Sequence, residues 1–287
     1  MHIPDGILTA PILVGFGAVS AASVIYSAKR AEAATGANRI PLLGVLGAFV
    51  FAAQMVNFPV GPGASGHLLG GALLAATIGP WAATITMTAI LLVQSLVFQD
   101  GGILALACNV FNMAVLGVWA AWLPFCSLSK AGHARAGLFV GALLSVLLSA
   151  ALALAQVSWS SGIIGEKLWV FCLGLFTITG LMEGAISIAA WEAIERLEGR
   201  GTRAPARGRR IWILAASLCI ALAGIYLASS APDVLEYFQH QSGITAANLD
   251  PQWMRNTVAG MAALLGLYAI SLLVAKLIPR GQPQNSQ

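Results

Sequence analysis

An all-α, polytopic membrane protein is what this sequence predicts, and three observations predict it. Of 287 residues, 58% are hydrophobic and 9% charged, against roughly 45–50% and about 25% in a soluble globular domain. Apolar runs long enough to cross a bilayer, about 20 residues, recur along the chain. Lys and Arg collect in alternate loops, as the positive-inside rule requires. A chain of this composition cannot cover itself with a water-compatible surface, so an ordinary soluble globule, disorder and a coiled coil are all excluded.

Spans are expected at 7–28, 41–58, 68–80, 81–98, 103–125, 136–156, 167–191, 211–229 and 256–278. The third is short and glycine-rich and ends at Pro80, so a tilt or a break is expected there. With the N-terminus outside, thirteen of the 15 Lys and Arg fall on the cytoplasmic side, leaving Lys167 and Arg255 outside. That orientation needs all nine spans. No internal repeat is evident, which weighs against transporter folds built from inverted halves. The net charge of +4 is thereby read as membrane sidedness, and no nucleic-acid partner is expected.

The basic stretch from Glu192 to Arg210 divides the chain. A seven-span core is expected at 1–195 and a cytoplasmic linker at 196–210. A two-span accessory region follows at 211–287, and its outer loop (230–255) holds Asp233, Glu236, His240 and Asp250. Cys108, Cys126, Cys172 and Cys219 form no CxxC pair and read as small buried hydrophobes. Trp81, Trp159, Trp169, Trp191, Trp212 and Trp253 lie near span ends, where interfacial anchors belong.

Four histidines can carry chemistry: His2, His67, His133 and His240. The last two read as solvated loop residues, whereas the expected topology puts His2 and His67 together on the outer side. The chain opens Met1-His2-Ile3-Pro4-Asp5-Gly6 without a basic n-region, so these residues are expected to persist in the mature protein. An uncapped Met1-His2 terminus offers a metal the α-amine, the deprotonated His2 amide nitrogen and the imidazole Nδ1. These close two adjacent chelate rings in one plane. One further imidazole, such as His67 in its glycine-rich loop, completes a square of nitrogens, the geometry of Ni(II) or Cu(II) rather than Zn(II) or Mg(II). The plainer reading is that both are ordinary loop histidines.

Three segments in order carry a resemblance. Met1-His2-Ile3-Pro4-Asp5-Gly6, then Gly63-Ala64-Ser65-Gly66-His67-Leu68-Leu69-Gly70-Gly71, and finally Asp100-Gly101-Gly102-Ile103 through Asn109-Val110-Phe111-Asn112-Met113 are similar to the substrate-binding component of nickel/cobalt energy-coupling-factor transporters, the CbiM/NikM family. The resemblance implies a metal, Ni²⁺ or Co²⁺ as transported substrate, held by Met1, His2 and His67. It also implies a transmembrane coupling protein and cytoplasmic ATP-binding subunits as partners, in the cytoplasmic membrane of a bacterium, with no prosthetic group. A bulky second residue such as His2 disfavours removal of Met1. The chain carries no GxxxxGK[ST] phosphate-binding loop, so ATP hydrolysis is expected on another polypeptide and this subunit is not an enzyme. Whether the metal would serve cobamide synthesis or a nickel enzyme, the sequence leaves open. Residues Ser229 to Glu236 resemble the Ser-Pro-Asp-Gly-Leu-Glu signature of small two-span proteins that accompany the family, with Val234 in place of Gly and Ala231 interposed. The implied tail is a fused accessory subunit. The alternative is a pair of anchoring helices.

Other residues invite a role. Glu183 lies inside an expected span with no basic partner there, a costly placement that by default marks function or gating, or else proximity to the interface. Gln94, Asn109 and Asn112 can hydrogen-bond loops over the metal site or glue helices together. Asp5 either supports the site or caps the first helix. Small residues (Gly15, Gly17, Gly44, Gly47, Gly137-x-x-x-Gly141) permit close helix approach, inside the core or against a docking protein. Two rival functions stand beside transport: a metal-binding scaffold or sensor, and an intramembrane hydrolase using Glu183.

Overall fold

A computed structural model describes residues 1–34, 40–61, 64–162, 165–198 and 232–243. The expected spans at 211–229 and 256–278 lie outside the described residues. Those described are mostly helical, and five helices are long and apolar enough to cross a membrane.

Helix α1 (Ala10–Ala34) leaves most of its apolar surface uncovered, Val14, Val19 and Ile25 among it. In water such a face is a liability; in hydrocarbon it costs nothing. Helix α2 (Ile40–Gln54) is shorter and opens on Ile40-Pro41, with proline in the first turn, where its missing N–H has no intrahelical partner to lose. The second expected span thus stops at Gln54, not 58. An antiparallel hairpin follows, β1 (Phe58–Gly61) paired with β2 (Ala64–Gly66), Phe58 opposite Gly66 and Pro59 opposite Ser65.

The third expected span is instead α3 (Gly71–Ile78), eight residues long. At 1.5 Å per residue it rises only about 12 Å, against a hydrocarbon core of about 30 Å. Its brackets are local: Gly70 and Gly79 both take positive φ, a conformation that Cβ disfavours, and Pro80 starts the next helix. Helix α4 (Pro80–Phe98) widens into a π-turn at Gln94–Phe98 and ends where Gln99 adopts φ 56°. Helix α5 (Leu106–Lys130) carries a second wide stretch over Val110–Gly117.

Helix α6 (Ala134–Ser161) packs along both α5 and α7 (Glu166–Glu198). The small residues explain how closely. A Cβ on Gly141 would land on the Ala121 carbonyl, and one on Gly137 would sit 3.0 Å from the Phe125 Cα. On the other side Gly180 and Gly184 receive Leu143 and Phe139. By contrast, Gly15 and Gly17 on α1 face open space. A final helix, α8 (Val234–Gln241), lies against α7 and β2 with Val234, Leu235 and Phe238 buried. This part of the expected outer loop is packed on the core.

Gly141→Leu should therefore drive α5 and α6 apart and cost about 1–3 kcal/mol or more, whereas Gly15→Leu should be neutral. Thermal unfolding of the detergent-solubilised proteins checks this, and equal melting temperatures for the two variants would contradict the packing described.

Candidate metal site

The site is assembled from the chain's first residues, which do not begin a helix but run into the protein. Met1, Ile3 and Ile7 are buried against the helices. The expected first span (7–28) consequently starts later, at Ala10. A buried extended segment must find partners for its backbone, and α5 with the loop before it supplies them. Asn109 clamps Ile3 from both sides: its Oδ1 accepts the Ile3 N–H (2.9 Å) and its Nδ2 donates to the Ile3 carbonyl (3.0 Å). Gly102 N–H donates to the same carbonyl (2.9 Å).

Asp5 caps a turn, though not that of the first helix. Its carboxylate accepts the N–H groups of Ile103 (2.9 Å), Leu104 (2.8 Å) and Ala105 (3.1 Å), fastening the N-terminal segment to the start of α5. The Gly101-Gly102 pair now has a reason. Gly101 (φ 88°) lies where a Cβ would come 3.0 Å from the His2 Cβ, and a Cβ on Gly102 would collide with Asp5.

His67 arrives from the other direction, one residue beyond β2. Glu183 of α7 accepts the N–H groups of Leu69 and Gly70, both at 2.7 Å. Gln54 donates to the Leu69 carbonyl (2.6 Å), and Gln94 from its π-turn donates to Gln54 (2.7 Å). The buried carboxylate thus has both oxygens engaged with the backbone of the His67 loop, an arrangement that holds that loop in place. Asn112 takes a different place from Asn109, exchanging two bonds (each 2.9 Å) with Gln156 on α6. His133 and His240 are both exposed.

At the meeting point the Met1 ammonium donates to His67 Nε2 at 2.8 Å. The opposite ring nitrogen, Nδ1, donates to the Leu68 carbonyl (3.0 Å), which fixes the tautomer with its lone pair at Nε2. The His2 and His67 rings stack with centroids 5.5 Å apart and planes 5° from parallel. His2 Nδ1 lies 3.1 Å from Asp100 Oδ1, and its Nε2 is buried without a partner. Asp233, at the N-cap of α8, forms an ion pair with the Met1 ammonium. Among the described residues no three His, Cys, Asp or Glu side chains converge as a metal-holding group. What converges is a terminal amine with two imidazoles, flanked by Asp100 and Asp233.

Burial, then the adjacent ammonium and His2, push His67 down to about 4, so at neutral pH its ring is uncharged. Burial alone would raise Asp100, yet the neighbouring His2 holds it well below the ordinary carboxylate range. Burial likewise opposes ionisation of Asp233, and the ammonium beside it wins, again lowering it. Both flanking carboxylates are therefore negative.

A multi-pass α-helical membrane protein with a nitrogen-rich cluster walled by two carboxylates is the class that fold and geometry define. The chain belongs to the CbiM family, the cobalt uptake substrate-specific transmembrane region, which it matches over residues 2–200. A relative in Haloquadratum walsbyi, provisionally named a metal transport protein, is 37% identical over 198 residues, 68% of this chain and 89% of that protein. A protein of Archaeoglobus fulgidus, provisionally named the fused nickel transport protein NikMN, is 35% identical over 189 residues, 65% of this chain and 63% of its own length. A crystal structure of a transition metal transporter superposes with a TM-score of 0.60 at 28% identity, over 70% of this chain and 95% of that one.

Asn109→Ala orphans the buried Ile3 N–H, at a cost of about 1–3 kcal/mol, and leaves the Ile3 carbonyl with Gly102 alone. Faster hydrogen exchange at the Ile3 and Gly102 amides is the expected result. Unchanged protection would mean that the terminal segment is held by something else.

Proposed function

We propose that this chain is the substrate-specific membrane subunit of an energy-coupling-factor importer, taking Ni²⁺ or Co²⁺ from the outer side of a bacterial cytoplasmic membrane. The metal is held by the Met1 amine, the His2 amide nitrogen, His2 Nδ1 and His67 Nε2. A transmembrane coupling protein and separate ATP-binding subunits provide the energy, and this subunit catalyses no reaction. A helical membrane core over 1–195 with the N-terminus outside, a linker at 196–210 and a fused two-span accessory region at 211–287 complete the reading.

One observation carries it: the Met1 ammonium donates an N–H to the His67 Nε2 lone pair at 2.8 Å. Nitrogen ligands bind such metals at about 2.0 Å, so two neighbours at a right angle in a square are separated by about 2.8 Å. The pair already has the spacing of adjacent ligands, and the amine proton between them is the one a metal would displace. His2 Nδ1 exchanges Asp100 for the metal, and the displaced carboxylate remains beside a cationic complex. Membership of the CbiM family and the nickel and metal transport names of its relatives support the same reading. So does the absence of a phosphate-binding loop from the sequence.

Calorimetry with Ni²⁺ and Co²⁺ on the full-length protein tests the assignment. One tight site is expected, lost in His67→Ala and lost again when a single residue is added before Met1, with the fold intact in both. Binding that survives either change would contradict it.

The charge states give a further expectation. His67 is already neutral above about pH 4, so it releases no proton when metal binds near pH 7. The Met1 ammonium and the His2 amide must each give one up, at least two per metal. Affinity accordingly falls as pH falls from 8 to 5. Calorimetry at pH 7 in buffers of different ionisation enthalpy counts the protons, and none released would refute the four-nitrogen site.

A further inference from the structure

We propose that Asp233, supplied by the C-terminal region, is a positioning residue for the metal ligand at Met1, so that the core's site is completed by the tail. The inference rests on the proposed metal site and adds a residue from outside the family's matched segment, which ends at residue 200.

An ammonium has three N–H groups. In the structure one is directed at His67 Nε2 and another at Asp233 Oδ2. Putting a metal on the amine replaces a single proton, the one on the His67 side. The remaining amine N–H groups still have Asp233 as acceptor. The same carboxylate therefore serves the empty and the loaded site, and aims the nitrogen lone pair at the metal in the second. Without it the terminal amine keeps His67 alone as a partner among the contacts described.

Asp233 is held firmly enough to do this. Its Oδ1 accepts the Glu236 N–H (2.7 Å) while the Glu236 carboxylate accepts the Asp233 N–H (3.3 Å), a capping box that starts α8. The preceding carbonyl, Pro232, accepts the Ser65 N–H at 2.8 Å, two residues before His67 in sequence. Val234, Leu235 and Phe238 are buried beneath it, at most 1% exposed. The tail is thus tied to the ligand loop by backbone and to the ligand amine by side chain. Partners of this kind, which touch a ligating group and not the metal, are worth about 10- to 100-fold in metal affinity.

The test is Ni²⁺ binding to the full-length protein carrying Asp233→Ala, Asp233→Ser or Asp233→Asn, with His67→Ala beside them. Ser keeps the helix cap but is too short to reach the amine; Asn keeps the cap and an acceptor oxygen at the right distance. Expected are a weakening of about 10- to 100-fold in both Ala and Ser, partial recovery in Asn, and a shifted Ni²⁺ ligand-field absorption band in Ser. If Ser binds as tightly as the parent, the contact is helix capping only and the proposal falls. If Ala binds normally while His67→Ala does not bind, Asp233 has no part in the site although the site itself stands. Undiminished binding by His67→Ala overturns both.

Discussion

Everything around the site serves one interaction, the bond between a buried terminal ammonium and His67. A charged chain end inside protein is expensive unless its protons are satisfied, and it can be satisfied here only if the first residues lie in one fixed path. That requirement explains the Asn109 clamp on Ile3, the Asp5 contacts to 103–105 and the two glycines at 101 and 102 that leave room for them. It explains equally why the His67 loop is pinned at Leu69 and Gly70 by Glu183. Two segments that come from opposite directions are each locked, and the ammonium bridges them.

The helices are built to the same end. Close packing of α5, α6 and α7 through glycine gives a rigid scaffold, against which the wide turns of α4 and α5 direct Gln94 and Asn112 inward. Wide turns of this type insert an extra residue per turn and re-aim side chains, which is why they recur at functional places. The uncovered apolar face of α1 lies outside this scaffold, as expected for a surface exposed to lipid.

Much of this was legible in the sequence, for identifiable reasons. Membrane-length apolar runs announce themselves by composition, and the chelating capacity of Met1-His2 is local chemistry. Gly137 and Gly141 declared a close contact through their four-residue spacing. The short α3 was foreshadowed by Gly70, Gly79 and Pro80, yet its eight residues became clear only with the backbone angles in view. Asp100 stood inside a recognised segment without an assigned role, because its partner His2 is far off in sequence. Asp233 was further out of reach: its contact to Met1 spans the length of the core, and no local pattern encodes such a pairing. Glu183 could be flagged as costly, but a carboxylate satisfied by backbone N–H groups of a distant loop has no sequence signature at all.

In the proposed site a metal displaces the amine proton that now faces His67 and bonds both nitrogens. The most direct measurement is the anomalous-scattering map of a nickel-soaked crystal of the full-length protein at the nickel absorption edge. A single peak about 2 Å from both Met1 N and His67 Nε2 is expected, with His2 turned from Asp100 to join them. A peak instead at Asp233, Glu236 and His240, with the terminal ammonium still bonded to His67, would contradict it.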